Sequence, residues 1–305
     1  MVKLWQIASD IIPKAVTGTI ESEWGIAMSP DSRWMATGAN DGVVRLWRLV
    51  DGAMLRVISG HEAPIRGMAF SPDGELLASG SRDGEIRLWS LPLGTPAGTL
   101  VGHEKWVRAI AVSPDGSILA SGGADQAIRL WDVRSRKQIG TLSGHEDLVH
   151  SLAFTPDGAH LVSGAGDWSI RVWSMEQMAL ERIISGHGWA VRAVAVSPDG
   201  TMLASGSGDK TLRLWQFEDG APIRYMRAHR DAVLSVSFSP DGEVLASASG
   251  DGSIRIWKVP EGSMQRVLVD RGPDVWSVAF SPDGESFVAV AADRSVRVWR
   301  SAELK

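Results

Sequence analysis

Residues 102–143 read GHEKWVRAIAVSPDGSILASGGADQAIRLWDVRSRKQIGTLS. Three short apolar runs lie in this stretch, Val107 to Val112, Ile118 to Ser121 and Ala127 to Trp131. Turn chemistry separates them, first Ser113-Pro114-Asp115-Gly116 and then Gly122 to Gln126. Gln138 to Leu142 supplies a shorter fourth run. Four strands with three tight connections account for the whole stretch, and no helix is needed. The first run alternates small and large residues, as Ala109-Ile110-Ala111-Val112 and its counterpart Gly67-Met68-Ala69-Phe70 do, which suits a strand packed on both faces.

The Trp that ends the third run recurs at Trp5, Trp47, Trp89, Trp131, Trp173, Trp215, Trp257 and Trp299, always 42 residues apart. The Ser-Pro-Asp turn keeps the same step at Ser29, Ser71, Ser113, Ser197, Ser239 and Ser281, with Thr155-Pro156-Asp157 as its variant. An acid keeps it too, at Asp41, Asp83, Asp125, Asp167, Asp209, Asp251 and Asp293. A period of about 40–45 residues is that of propeller blades. Met175 to Ile184 has a composition compatible with helix, but it occupies the register of a turn and strand in the other units, and the register decides.

Gly-His at Gly60-His61, Gly102-His103, Gly144-His145 and Gly186-His187, with Ala228-His229 as a variant, then Ser-Pro-Asp-Gly, then Asp followed six residues later by Trp, resembles the WD-repeat β-propeller family. The resemblance covers essentially the whole chain, although the Trp-Asp dipeptide itself survives only at Trp131-Asp132. It implies an all-β fold of four-stranded antiparallel blades. Inner strands beginning near Trp24, Arg66, Arg108, His150, Arg192, Leu234 and Trp276 predict seven blades. The last blade lacks its fourth strand after Trp299. Ile11 to Thr17 is available to supply it and close the ring, leaving no open edge. Residues 11–305 are then one propeller, and residues 1–10 an extra segment in which Val2 to Gln6 has the sequence of a third strand. A chain cut in mid-repeat from a longer array is the favoured reading of that segment, and an edge strand that mediates association is the other.

The chain has 305 residues and 44% apolar content, enough for a sizeable core. Lys plus Arg number 31 against 36 Asp plus Glu, a net charge of −5, which offers no basic footprint for a nucleic-acid backbone. There are no Cys residues, so disulfides, thiolate metal sites and cysteine nucleophiles are excluded. No apolar run approaches the roughly 18 residues of a membrane span, and nothing at Met1 resembles a leader. A cytoplasmic monomer, alone or within a larger chain, is the expectation, and the absence of insertions is compatible with a consensus or designed origin. Trp is abnormally frequent, 14 against 6 Phe and 1 Tyr.

Ser, His and Asp recur together in five blades: His61, Ser79 and Asp83; His103, Ser121 and Asp125; His145, Ser163 and Asp167; His187, Ser205 and Asp209; His229, Ser247 and Asp251. A hydrolytic triad would use these residue types. Five copies around a ring argue instead for structure, and the family resemblance implies a hydrogen-bonded chain running from each set to its Trp89, Trp131, Trp173, Trp215 or Trp257. The set is incomplete in the first blade, with Thr19, Thr37 and Asp41, and in the last, with Arg271, Ala289 and Asp293, so the seam between them is expected to be the weakest part of the ring. Arg45, Arg87, Arg129, Arg171, Arg213, Arg255 and Arg297 stand two before the repeated Trp and read as a solvated or ion-paired band. Gly122-Gly123 and Gly206-Ser207-Gly208 read as hairpin turns, with no following helix to present amides to a phosphate. No His spacing suits a metal, and no cofactor is expected.

Function is expected on the rim that carries the loops before the inner strands, where WD-repeat proteins characteristically bind partners. Five residues past the His position the chain reads Trp24, Arg66, Arg108, His150, Arg192, Leu234 and Trp276, an arc of cations beside an aromatic pair. Trp106, Trp168 and Trp189 fall on adjoining loop positions, so five Trp outside the structural column map to one rim. Trp and Arg are the residues most enriched at interface hot spots. A non-catalytic scaffold is therefore expected, binding a protein or peptide partner, acidic or phosphorylated, through Trp24, Arg66, Trp106, Arg108, His150, Trp189, Arg192 and Trp276. The competing structural reading neutralises Arg66 and Arg108 with Glu62, Glu104 and Glu146. The alternative function is an enzyme or small-ligand binder in the central channel, although the inner strands offer no convergent acid/base set.

Overall fold

The computed structural model describes residues 14–16, 23–227, 229–269 and 272–300. Trp5, Val2 to Gln6, Thr19, Ala228 and Arg271 lie outside them, as do Ile11 to Pro13 and Thr17.

The quoted stretch forms β10 (Val107–Val112), β11 (Ile118–Gly123), β12 (Ile128–Asp132) and β13 (Lys137–Leu142), paired antiparallel in that order. The same sheet repeats seven times, and no helix occurs among the described residues. The segment with helical composition yields β17 (Ala179–Ile184), the outer strand of its blade. Blade seven orders its strands as β26 (Val275–Phe280), β27 (Ser286–Ala291), β28 (Val296–Arg300) and then β1 (Lys14–Val16), with Lys14 opposite Val298 and Val16 opposite Val296.

Blades pack face to face through apolar clusters that each span two neighbours. Leu119 and Trp131, for example, share a cluster with Ala78, Ile86 and Leu88 of the preceding blade. At the seam Met35, Trp47 and Leu49 pack on Val288, Val290, Val296 and Val298. The seam is also bridged by hydrogen bonds from the Asp283 amide to Ser32 Oγ at 3.0 Å and from the Arg300 guanidinium to the Leu49 carbonyl at 3.1 Å.

Gly122 and Gly206 belong to second strands, not to turns as the sequence suggested. They are small because the next blade's inner strand presses on them. A Cβ at Gly122 would lie 2.6 Å from Val149 Cγ1, and one at Gly206 would lie 2.6 Å from Val233 Cγ1. Trp34, a sixth Trp outside the structural column, opens the second strand of its blade and packs against the cluster that holds Trp89.

One irregularity recurs in every blade. In the blade of the quoted stretch, Val107 pairs with Gly123 and Ala109 with Gly122, so Arg108 is an extra residue, a β-bulge. The register shifts at the same place around Trp24, Arg66, His150, Arg192, Leu234 and Trp276. The position that carries Trp, Arg, His or Leu from blade to blade is thus freed from the strand ladder.

Candidate functional site: the mouth of the central channel

Each blade first secures its rim loops with buried polar chemistry. The Trp131 indole N–H donates to Ser121 Oγ at 2.8 Å, and Ser121 Oγ lies 2.8 Å from His103 Nε2. His103 Nδ1 sits 2.9 Å from Asp125. A neutral imidazole that donates from Nδ1 to the carboxylate must accept at Nε2, so the chain runs Trp to Ser to His to Asp. The His–Asp contact is 2.8 Å in the His61 set, 2.7 Å in the His145 set, 2.9 Å in the His187 set and 3.2 Å in the His229 set. Every one of these Ser side chains is fully buried beneath its Trp, so none presents a nucleophile to a substrate.

Burial alone would raise the Asp125 and Asp251 carboxyls. Hydrogen bonds outweigh it, led by His103 for Asp125 and by Ser253 for Asp251, and hold both down at about 2. Burial pushes His229 down to about 4.

The first and last blades solve the same problem differently. Trp47 donates to Thr37 Oγ1 at 2.8 Å. In blade seven, where Ala289 replaces Ser, Trp299 packs on Phe287 with ring centroids 5.5 Å apart. The repeated Arg side chains pair with the blade's own turn acid in five blades, from 2.6 Å for Arg45–Asp41 to 3.9 Å for Arg213–Asp209. Arg87 pairs with Glu85 at 3.0 Å, and Arg255 donates to Ser253 Oγ.

On this base stand the residues singled out for binding. Arg66, Arg108, His150, Arg192, Leu234 and Trp276, all bulge residues, line both a cavity of about 300 Å³ at the channel mouth and a smaller one of about 160 Å³ in the throat below it. They form a ring around the axis and converge on one opening. Trp106, Leu148 and Arg82 complete the mouth. Arg82 is absent from the sequence-based set. Its guanidinium lies 4.6 Å from the Trp106 ring centroid, a cation–π contact across the rim. The only signal for it was its place in the turn between second and third strands. The Trp24 side chain lies outside the described residues, although its backbone opens the inner strand of blade one.

His150 is not one of the cations, contrary to the expectation of a continuous arc. Its Nε2 accepts a hydrogen bond from the Arg192 guanidinium at 3.2 Å, which requires a lone pair there. Burial first, then the charges of Arg192 and Arg108, push its pKa down to about 3. Its Nδ1 must then carry the proton, and that buried N–H has no hydrogen-bond partner.

Burial, then the neighbouring guanidiniums, push Arg66 and Arg108 down to about 10. Among the described residues no carboxylate lies within ion-pair distance of Arg108 or Arg192. Glu104 and Glu146 instead give their backbone amides to Asp125 and Asp167.

Outside the mouth, Trp168 and Trp189 stack with ring centroids 5.8 Å apart and planes 17° from parallel. Both are about half exposed, at 48% and 55%. Trp168 occupies a turn position with φ of +70°, where three other blades place Gly. Gly208 makes room for its partner, since a Cβ there would fall 2.4 Å from Trp189 Cδ1.

Residues 24–185 match the family model of the echinoderm microtubule-associated protein second beta-propeller. Residues 178–216, 220–258 and 262–300 each match the WD domain, G-beta repeat. No curated protein matches the chain. Family matches that run from the first described blade to the last, on seven four-stranded sheets of which five are locked by Trp, Ser, His and Asp, place this chain in the WD-repeat β-propeller family.

Proposed function

We propose that this propeller is a non-catalytic scaffold that binds a protein or peptide partner on the rim around the channel mouth. WD-repeat propellers serve in general as interaction platforms. The observation that carries the reading is the Trp168–Trp189 stack. A large aromatic held in the left-handed region costs on the order of 1–3 kcal/mol of backbone strain, and here it supports an exposed apolar surface that contributes nothing to the core. Rigid, half-exposed Trp beside Arg is the composition of an interface hot spot. The partner is acidic or phosphorylated, because the channel mouth gathers Arg66, Arg108 and Arg192, and Arg108 has no carboxylate within ion-pair distance among the described residues.

The test is selection of a displayed peptide library on the wild-type protein, followed by affinity measurement on the Trp168→Ala, Trp189→Ala double variant. The selected peptides should be enriched in acidic positions and lose most of their affinity for the variant. Peptides that bind both proteins equally, and cross-link to the opposite rim, would overturn the proposal.

A further inference from the structure

Guanidiniums from three blades converge on the channel mouth, where the Asp147 carboxylate acts on Arg192 from beyond ion-pair distance. Arg66, Arg108 and Arg192 come from three different blades, each delivered by a bulge to the same cavity. Among the described residues no Asp or Glu lines either cavity. His150, 8% exposed, lies among them with a buried and unpartnered Nδ1–H. An unsatisfied buried donor is costly unless something accepts from it.

We propose that the channel mouth is a binding site for a compact phosphoryl anion, gripped by Arg66, Arg108 and Arg192 with His150 Nδ1–H as a further donor. A carboxylate is planar, carries one charge and is satisfied by a single guanidinium fork. Guanidiniums arriving from separate blades need an acceptor that offers oxygens in several directions and more than one negative charge, which a phosphate monoester or inorganic phosphate provides. The cavity of about 300 Å³ stands at the small end of ligand pockets, so the occupant is compact. Leu234 and Trp276 close the opposite side of the ring and keep the anion on its cationic half. The inference shares cations with the proposed function but needs no protein partner, so it is tested on the isolated propeller.

An anion that binds only the folded state raises its melting temperature. Thermal unfolding is followed in sodium phosphate, sodium pyrophosphate and sodium chloride at matched ionic strength. The expected result is a rise of several degrees in phosphate and pyrophosphate over chloride. Arg108→Gln removes a mutually repelling charge, so in chloride it should melt higher than wild type and should lose the response to phosphate. That combination separates a ligand-binding arginine from a structural one, whose loss would lower the melting temperature in every salt.

Independently of any variant, the ³¹P resonance of inorganic phosphate should broaden on adding wild-type protein and sharpen again with pyrophosphate but not with acetate. A phosphoserine peptide tighter than inorganic phosphate would assign the phosphoryl to a partner chain, and equal affinity would assign it to a free anion. Equal melting temperatures in all three salts, or an unbroadened ³¹P line, would overturn the site while leaving the Trp168–Trp189 test untouched.

Discussion

At the scale of single residues, one set of side chains does two kinds of work that mutation can separate. His145 joins Ser163 Oγ at 2.7 Å to Asp167 at 2.7 Å beneath Trp173. His145→Ala should lower stability by about 1–3 kcal/mol, because it strands a buried hydroxyl and a carboxylate. Urea unfolding measures this, and affinity for any rim ligand should be unchanged once the variant is folded. Trp168 is the converse case. Trp168→Gly relieves a backbone with φ of +70° and should raise the melting temperature while weakening peptide capture. If the variant melted lower, the strain reading would fail.

The buried His sets and His150 were not equally legible in the sequence. The His sets declare themselves because they recur five times at one spacing. The neutrality of His150 was invisible, because it depends on a guanidinium 42 residues away that only ring geometry brings to 3.2 Å.

At the scale of elements, periodicity was a sound guide to strands and a poor one to small departures from them. The apolar run Val107 to Val112 coincides with β10, and the Ser-Pro-Asp-Gly turn falls where it was read. The 42-residue register correctly overruled the helical composition of Met175 to Ile184 because a strand's packing partners outweigh propensity. Gly122 was misread because glycine marks both a turn and a close approach, and only the neighbouring blade distinguishes them. That approach makes a prediction: Gly122→Ala places a Cβ 2.6 Å from Val149 Cγ1 and should destabilise by about 1–3 kcal/mol by forcing two blades apart, measurable by denaturant titration. The bulge at each inner strand left no sequence signal, since an extra residue in one strand changes neither composition nor the repeat length.

At the scale of the whole molecule, the buried histidines and the paired acids make stability fall as pH falls, in two stages. His229, pushed down to about 4, and His150, to about 3, stay neutral in the fold below the ordinary histidine value near 6.5. Over the range from about 6.5 to 4 the unfolded chain therefore takes up protons that the folded chain refuses, at about 1.4 kcal/mol per pH unit for each histidine. Asp125 and Asp251, held at about 2, add a second loss between roughly pH 4 and 2. Chemical denaturation from pH 7 to 4 should show the first stage, and a flat profile would contradict the burial of these two imidazoles.

The seven bulge residues give this near-symmetric ring a direction. Arg66, Arg108 and Arg192, with His150 among them, come from blades two to five, whereas Leu234 and Trp276 come from blades six and seven. The scaffold repeats and its opening does not, so the channel mouth behaves as a compass: a ligand with one charged and one apolar end has a single favourable heading. The Trp168–Trp189 stack, between blades four and five, extends that heading outward over the rim.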